Sequence, residues 1–163
     1  MMISRRFRTE DAAGVSDLIT TTLRTTSIAD YTEEYIENLC RKRRPEDIER
    51  CADNSHFYVL EDDCGIAACG AVALHSDDCR DSILLNIFVH PRLQGKGTGR
   101  ELMQVLENDE YFRSTGRTVL HASITAVDFY LRLGYVFVNG ISEPDSYGVI
   151  LMEKIHPILS TEE

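Results

Sequence analysis

Residues 83–89 read Ile-Leu-Leu-Asn-Ile-Phe-Val, the most apolar run of the chain, and Gly95, Gly97 and Gly99 follow it closely. So short a run, with barely any alternation, reads as a strand buried on both faces, which demands covering layers above and below a sheet. The connecting segment is Val89-His90-Pro91-Arg92-Leu93-Gln94-Gly95-Lys96-Gly97-Thr98-Gly99-Arg100. It leads into a helical stretch whose Leu102, Met103 and Leu106 recur at the spacing of a buried face. Glycine lets a backbone approach a ligand closely. The first turn of a helix offers unpaired N–H groups at the positive end of a dipole. Together they form an anion site suited to phosphate or pyrophosphate. Hydrogen bonds to a charged group, about 1.5–3 kcal/mol each, outweigh the dipole at about 0.3–1 kcal/mol. Arg92, Lys96 and Arg100 concentrate positive charge there, in a chain of net charge −10.

The 163 residues suit one domain, taken here as 3–155 with a short tail at 156–163. A first strand spans 3–7, with Thr9 as the expected N-cap of a helix carrying Val15, Leu18, Ile19 and Leu23. A second helix starts near Thr32 with Tyr35, Ile36 and Leu39 on one face, and a short third begins at Pro45. Strands follow at 57–61, 66–74, 83–89 and 118–122, a helix at 126–133 closed by Gly134, and strands at 135–138 and 147–153. This order predicts an α/β (α+β layered) domain, a mixed sheet with helices on it.

So acidic a chain is a poor fit to nucleic acid or an anionic membrane. No stretch reaches the length of a membrane span, and the N-terminus has no apolar signal core, which predicts a cytoplasmic protein. The five cysteines are odd in number and show no CxxC pair, which predicts free thiols and no metal site.

The glycine loop fails two common phosphate patterns. Gly97 stands where a Walker loop needs Ser or Thr, and Arg100 takes the place of the third glycine of a dinucleotide fingerprint. Gln94, Gly97 and Gly99, preceded by Val89 and Pro91, instead resemble the pyrophosphate loop of the GNAT superfamily of acetyl-CoA-dependent N-acetyltransferases. A second segment, Ala126-Val127-Asp128-Phe129-Tyr130-Leu131-Arg132-Leu133-Gly134-Tyr135, resembles the AxxFYxxxGF/Y motif of the same superfamily. With His121-Ala122-Ser123-Ile124-Thr125-Ala126 the chain is similar to small bacterial members.

The resemblance implies a mostly antiparallel sheet whose two central parallel strands, 83–89 and 118–122, splay apart, flanked by helices. It implies acetyl-CoA as cosubstrate and direct transfer of the acetyl group to an amine of a small molecule, peptide or protein. Carried over, cofactor contacts fall on Ile87, Phe88, Val89, Gln94, Gly95, Lys96, Gly97, Thr98, Gly99, Arg100, Ser123, Phe129, Tyr130 and Arg132. Tyr130 is the expected general acid for the departing thiolate. Ser123 stands where the family often has Asn, a shorter reach toward the pantetheine arm. Homodimers are common in the family.

Deprotonating the acceptor is the harder problem. A lysine-like amine is only about one part in a thousand neutral at pH 7.4, a gap of about 4 kcal/mol. Many family members place a Glu on the central strand, but here its polar residue is Asn86, which cannot act as a base. His121 is the best-placed candidate, with Tyr147, Glu33 and Glu34 behind it. The basic run Arg41-Lys42-Arg43-Arg44 either contacts an acidic acceptor or the cofactor phosphates, or is a solvated helix end. Two other readings stand beside the transferase: an acyl-CoA-binding regulatory domain of the same fold without turnover, and an unrelated nucleotide-binding module.

Overall fold

The computed structural model, which describes residues 1–75 and 77–159, sets the apolar run at the centre of a seven-stranded sheet. The strands are β1 (Ile3–Arg6), β2 (His56–Asp62), β3 (Gly65–Leu74), β4 (Asp81–Val89), β5 (Arg117–Ala122), β6 (Val136–Phe137) and β7 (Ile150–Ile155), in the order β1-β2-β3-β4-β5-β7-β6. Neighbours run antiparallel except β4 and β5. The helices are α1 (Ala12–Thr25), α2 (Glu33–Arg41), α3 (Pro45–Asp53), α4 (Thr98–Glu107), α5 (Glu110–Arg113) and α6 (Val127–Arg132). No helix among the described residues is long and apolar enough to cross a membrane.

Alternation along β2 and β3 feeds two cores, one on each face. Val15, Leu18, Ile19 and Leu23 of α1, Ile36 of α2 and Ile48 of α3 pack with Phe57, Val59, Cys69 and Ala71. On the other face Leu102, Met103 and Leu106 of α4 pack with Leu60, Ala68, Val72 and Tyr130.

β4 breaks its alternation at Asn86. Residues two apart on a regular strand share a face, yet Leu85 joins the α1–α3 core and Ile87 the α4 core. The cause is a bulge: the register with β3 shifts between Cys69 and Ala71, and Asn86 adopts a left-handed φ of 51°. Asn tolerates this conformation far better than the β-branched residues around it. The extra residue flips Ile87, Phe88 and Val89 to the opposite faces.

β4 and β5 pair only at Asp81↔Arg117, Ser82↔Thr118 and Ile83↔Val119. Beyond that they part, as the resemblance implied. The closed end is clamped: Ser82 Oγ lies 2.8 Å from Thr118 Oγ1 and 3.0 Å from Thr115 Oγ1, all buried. Arg117 donates to Asp81 at 2.9 Å and to Glu153 at 2.6 Å.

Several expectations shift. Thr9 opens a 3-10 turn and is not the N-cap; Asp11, which precedes α1, makes no side-chain cap bond to that helix and instead reaches back to accept the Arg8 N–H at 2.7 Å. The last strand is displaced from 147–153 to Ile150–Ile155, leaving Tyr147 in the preceding loop. The 126–133 helix divides into a 3-10 turn, Ile124–Ala126, and α6. Helix α5 carries no periodicity long enough to read from four residues. Of the tail expected at 156–163, His156 stacks on Phe112 at 4.0 Å and Leu159 N donates to Arg113 O at 2.8 Å. Residues 160–163 lie outside the described residues. The five cysteines are free thiols.

Buried Asp11 ties the first strand to the first helix, accepting both terminal nitrogens of Arg5 at 2.8 and 2.9 Å. The Arg5 guanidinium holds this carboxyl below the usual range. Its stabilisation is therefore complete above the unfolded carboxyl pKa, about 3.9, and is lost as pH falls through the lower native value. Asp11→Asn is expected to cost about 2 kcal/mol at neutral pH. In thermal denaturation across a pH series, its gap from wild type should narrow below about pH 4.

Candidate active site

The glycine loop leaves the end of β4 through a 3-10 turn, Pro91–Leu93, and reaches α4 with Gly95 at φ 74° and Gly97 at φ 86°. An added Cβ at either glycine would meet nothing within 4 Å, so it is the left-handed backbone that requires them. Gly97 caps α4 without a side chain, and the first intrahelical bond is Glu101 N to Gly97 O at 3.1 Å. The amides of Thr98, Gly99 and Arg100 lie in the first turn, ahead of any i→i−4 acceptor. Gly99 packs closely: a Cβ there would stand 3.2 Å from the Phe129 ring, a tight contact to which the ring would have to yield. That contact brings the second motif against the loop.

Other loop residues are already engaged. Gln94 Nε2 donates to Val89 O at 3.1 Å and to Thr26 Oγ1 at 3.2 Å, bracing the loop against the end of α1. Arg92 is paired with Asp62 at 2.8 and 2.9 Å, so its charge is neutralised locally. Thr98 is buried, while Lys96, Arg100 and Arg132 are exposed.

Where β4 and β5 part, a cavity of about 210 Å³ opens. Ile87 and Phe88 line it from β4, His121 and Ser123 from the end of β5, and Tyr130 from α6. Tyr130 is buried, with Phe129 and Tyr135 packed edge-on at 5.2 and 5.9 Å. Burial pushes its phenol well above the usual range, so it holds its proton at neutral pH. Val89, the glycines and Lys96 lie outside this lining, on the loop side. Glu33, Glu34 and Tyr147 are also outside it. No carboxylate lines the cavity among the described residues.

The far wall comes from residues whose role is not readable from periodicity. Tyr31 and Tyr35 stack at 4.6 Å. The Tyr31 hydroxyl donates to Gly148 O at 2.6 Å and accepts the Ile124 N–H at 3.2 Å. The Tyr35 hydroxyl donates to Tyr147 O. Gly148, at φ 76°, would bring a Cβ within 2.9 Å of Tyr31, so the loop seats directly on that ring. Burial raises both phenols, which stay neutral donors.

The basic run divides. Arg41 bonds Asn38 Oδ1 at 2.6 Å, and Arg44 pairs with Asp47 at 3.2 Å; both are exposed. Arg43 alone turns inward to line the cavity, donating to Asn86 Oδ1 at 3.2 Å and Leu39 O at 3.1 Å. The bulge at Asn86 therefore meets the run expected to be either an anion contact or a solvated helix end.

This arrangement has known counterparts. A family profile described as the acetyltransferase (GNAT) domain matches residues 53–137. Serotonin N-acetyltransferase 2, chloroplastic, of Oryza sativa subsp. japonica is 29% identical over 97 residues, which are 58% of this chain and 48% of that protein. The chain thus spans about half the length of this relative. The fold is similar to that of the PaiA N-acetyltransferase from Thermoplasma acidophilum in complex with coenzyme A, with a TM-score of 0.82, 18% identity, and coverage of 96% and 99% of the two chains. It is also similar to YncA from Salmonella typhimurium with its cofactor acetyl-CoA, with a TM-score of 0.67, 17% identity, and coverage of 100% and 98%. The splayed strands, the glycine loop on α4 and the match across residues 53–137 agree: the chain belongs to the GNAT acetyltransferase domain family.

Proposed function

We propose that the protein is an acetyl-CoA-dependent N-acetyltransferase that transfers the acetyl group directly to a primary amine of a small molecule or peptide. The observation that carries this reading is the cavity between β4 and β5, with Tyr130 inside it. Complexes of PaiA with coenzyme A and of YncA with acetyl-CoA support it on the same fold.

The residues present fit the cosubstrate. Past Ile83 the edge of β4 has no β5 partner, which leaves backbone groups free to pair with an extended amide-bearing ligand. The first-turn amides of α4, with Lys96 and Arg100 beside them, suit a pyrophosphate. Gln94 and Thr98 shape this loop rather than offer free groups, the first braced to Thr26 and the second buried. Acetyl-CoA supplies an acetyl group activated as a thioester.

In the overall exchange the amide C–N bond forms as the thioester C–S bond breaks, the amine nitrogen loses a proton, and the departing sulfur gains one. Backbone N–H groups of the open β4 edge near Ile87, Phe88 and Val89 can polarise the reacting carbonyl. Tyr130 holds a proton in a dry setting. Tyr130 is the proposed general acid: its phenol donates a hydrogen bond to the leaving sulfur and hands over the proton as the C–S bond breaks. Histidine is the side chain that exchanges protons near neutral pH, and His121 is the histidine in this lining. It is the proposed acceptor of the amine proton, directly or through water.

Calorimetry tests the cosubstrate and thiol release tests turnover. Wild type should bind acetyl-CoA in the micromolar range. Gly97→Glu, which forces a side chain into a left-handed position and adds negative charge, should weaken binding by about 100-fold. Folded wild type that binds neither acetyl-CoA nor CoA would sink the transferase reading. Binding without thiol release from any amine would favour the regulatory domain, and competition by ATP or NAD the nucleotide-binding module. Tyr130→Phe should lower kcat by about 100-fold, the low end for acid catalysis, with acetyl-CoA affinity nearly unchanged. A loss below about threefold would remove Tyr130 from the acid role.

A further inference from the structure

Arg43 is a cation turned inward with no carboxylate. It is half-buried in the lining of the cavity, and no Asp or Glu among the described residues pairs with it. The exposed arginines nearby do have acidic partners: Arg24 pairs with Glu37 at 2.9 Å and Arg44 with Asp47 at 3.2 Å. A guanidinium carries five N–H donors. Here Nε serves Asn86 Oδ1 and Nη1 serves Leu39 O, and the remaining donors have no protein acceptor among the described residues. Its Cζ lies over the Phe88 ring, 5.9 Å from the centroid. The groups packed around it do not balance the charge. Burial raises the Tyr35 phenol and the Cys40 and Cys69 thiols, so all three are neutral at pH 7. Burial also disfavours the charged form of Arg43 itself. Natural proteins seldom leave such a charge unpaired. The missing anion is supplied most simply by what enters the cavity.

We propose that Arg43 is the acceptor-recognition residue of this cleft and binds a carboxylate carried by the amine substrate, so that the acceptor is an amino acid-type molecule. This deepens the transferase reading and rests on it for turnover. A planar fork with free donors matches a carboxylate in a bidentate mode, which a lysine ammonium would not. The cofactor phosphates have their own site at the α4 N-terminus, where Lys96 and Arg100 lie; neither lines this cavity. The cation also bears on the deprotonation problem. A fixed positive charge near an amine lowers the amine pKa and raises its neutral, nucleophilic fraction. A cleft with Arg43 and no acidic side chain therefore disfavours polyamines and other simple cations. It admits an amine whose own carboxylate offsets the arginine.

The test uses amino acids, each paired with its α-carboxamide, which keeps the amine and the side chain and removes the negative charge. 5-Hydroxytryptophan and serotonin form a further pair, because a relative is named for serotonin. Thiol release is measured in the presence of acetyl-CoA. For at least one amino acid, wild-type kcat/KM should exceed that of the amide by about tenfold or more, mainly through KM. In Arg43→Gln this ratio should fall to near one while amide turnover persists, and Arg43→Lys should restore part of it. Asn86→Asp provides a control that keeps Arg43 and places a carboxylate beside its Nε. It should lose the preference for acids while remaining folded, as a cooperative thermal transition shows. The idea is overturned if in every pair the amide or serotonin matches or exceeds its acid in wild type, or if the preference survives Arg43→Gln and Asn86→Asp. Ligand-induced shifts in Tm decide the matter without turnover. Acids should protect wild type more than amides do, and not the variants; equal protection overturns the proposal. A protein that binds no acetyl-CoA would defeat the transferase reading alone, since the acid-over-amide difference in Tm is read independently.

Discussion

The architecture of the site depends on one backbone constraint, the left-handed bulge at Asn86 in a strand that is otherwise continuous and apolar. At the start of β4, as far as Ile83, the strand pairs on both sides and is locked by the buried hydroxyls of Ser82, Thr115 and Thr118. From Leu84 onward it has no β5 partner, and the bulge within that open stretch exchanges the faces of Ile87, Phe88 and Val89. The side chain then does a second job. Asn86 Oδ1 accepts from Arg43 and Nδ2 reaches Cys51 Sγ at 3.4 Å, so the bulge is tied to the helical layer over the sheet. A strand distortion thus sets which side chains of the open stretch face the cleft and also orients the charged residue within it.

The two ends of the site use different physics. At the α4 end the first-turn backbone amides have no helical acceptor, and side chains serve mainly to brace the loop: Gln94 to Thr26 and Arg92 to Asp62. Glycine is required there because the chain must turn left-handed, and at Gly99 the Phe129 ring lies close against it. At the opposite end, Tyr31 and Tyr35 hold the loop before β7 by hydrogen bonds to its carbonyls. Both phenols, like that of Tyr130, are kept neutral by burial. Among the described residues the lining thus carries the Arg43 guanidinium and no carboxylate, inside a molecule whose overall charge is strongly negative.

Most of the elements were legible because the apolar periods were clear. The inward faces of α1 and α4 and the buried strands β2 to β5 lie where their patterns placed them. The glycine loop and the Tyr130 helix were legible as well, because their spacing is a local property of the backbone. The departures are local in another way. Thr9 looked like a cap, but Asp11 is the better acceptor because Arg5 and Arg8 converge on it. The start of β7 moved because the loop before it is held by tyrosines far earlier in the chain.

The sequence by itself determined the layered α/β order, the glycine loop ahead of α4 and the helix that carries Tyr130, since each follows from near-neighbour spacing. Only the tertiary structure decided that Asn86 is a bulge, that Arg43 alone of its basic run turns inward, and that Tyr31 and Tyr35 wall the cleft. Those outcomes depend on contacts such as Arg43 with Asn86 and Tyr31 with Gly148, which lie 43 and 117 residues apart. Hydrophobic periodicity reports the face a residue shares with its neighbours and carries no information about which distant backbone that face will meet.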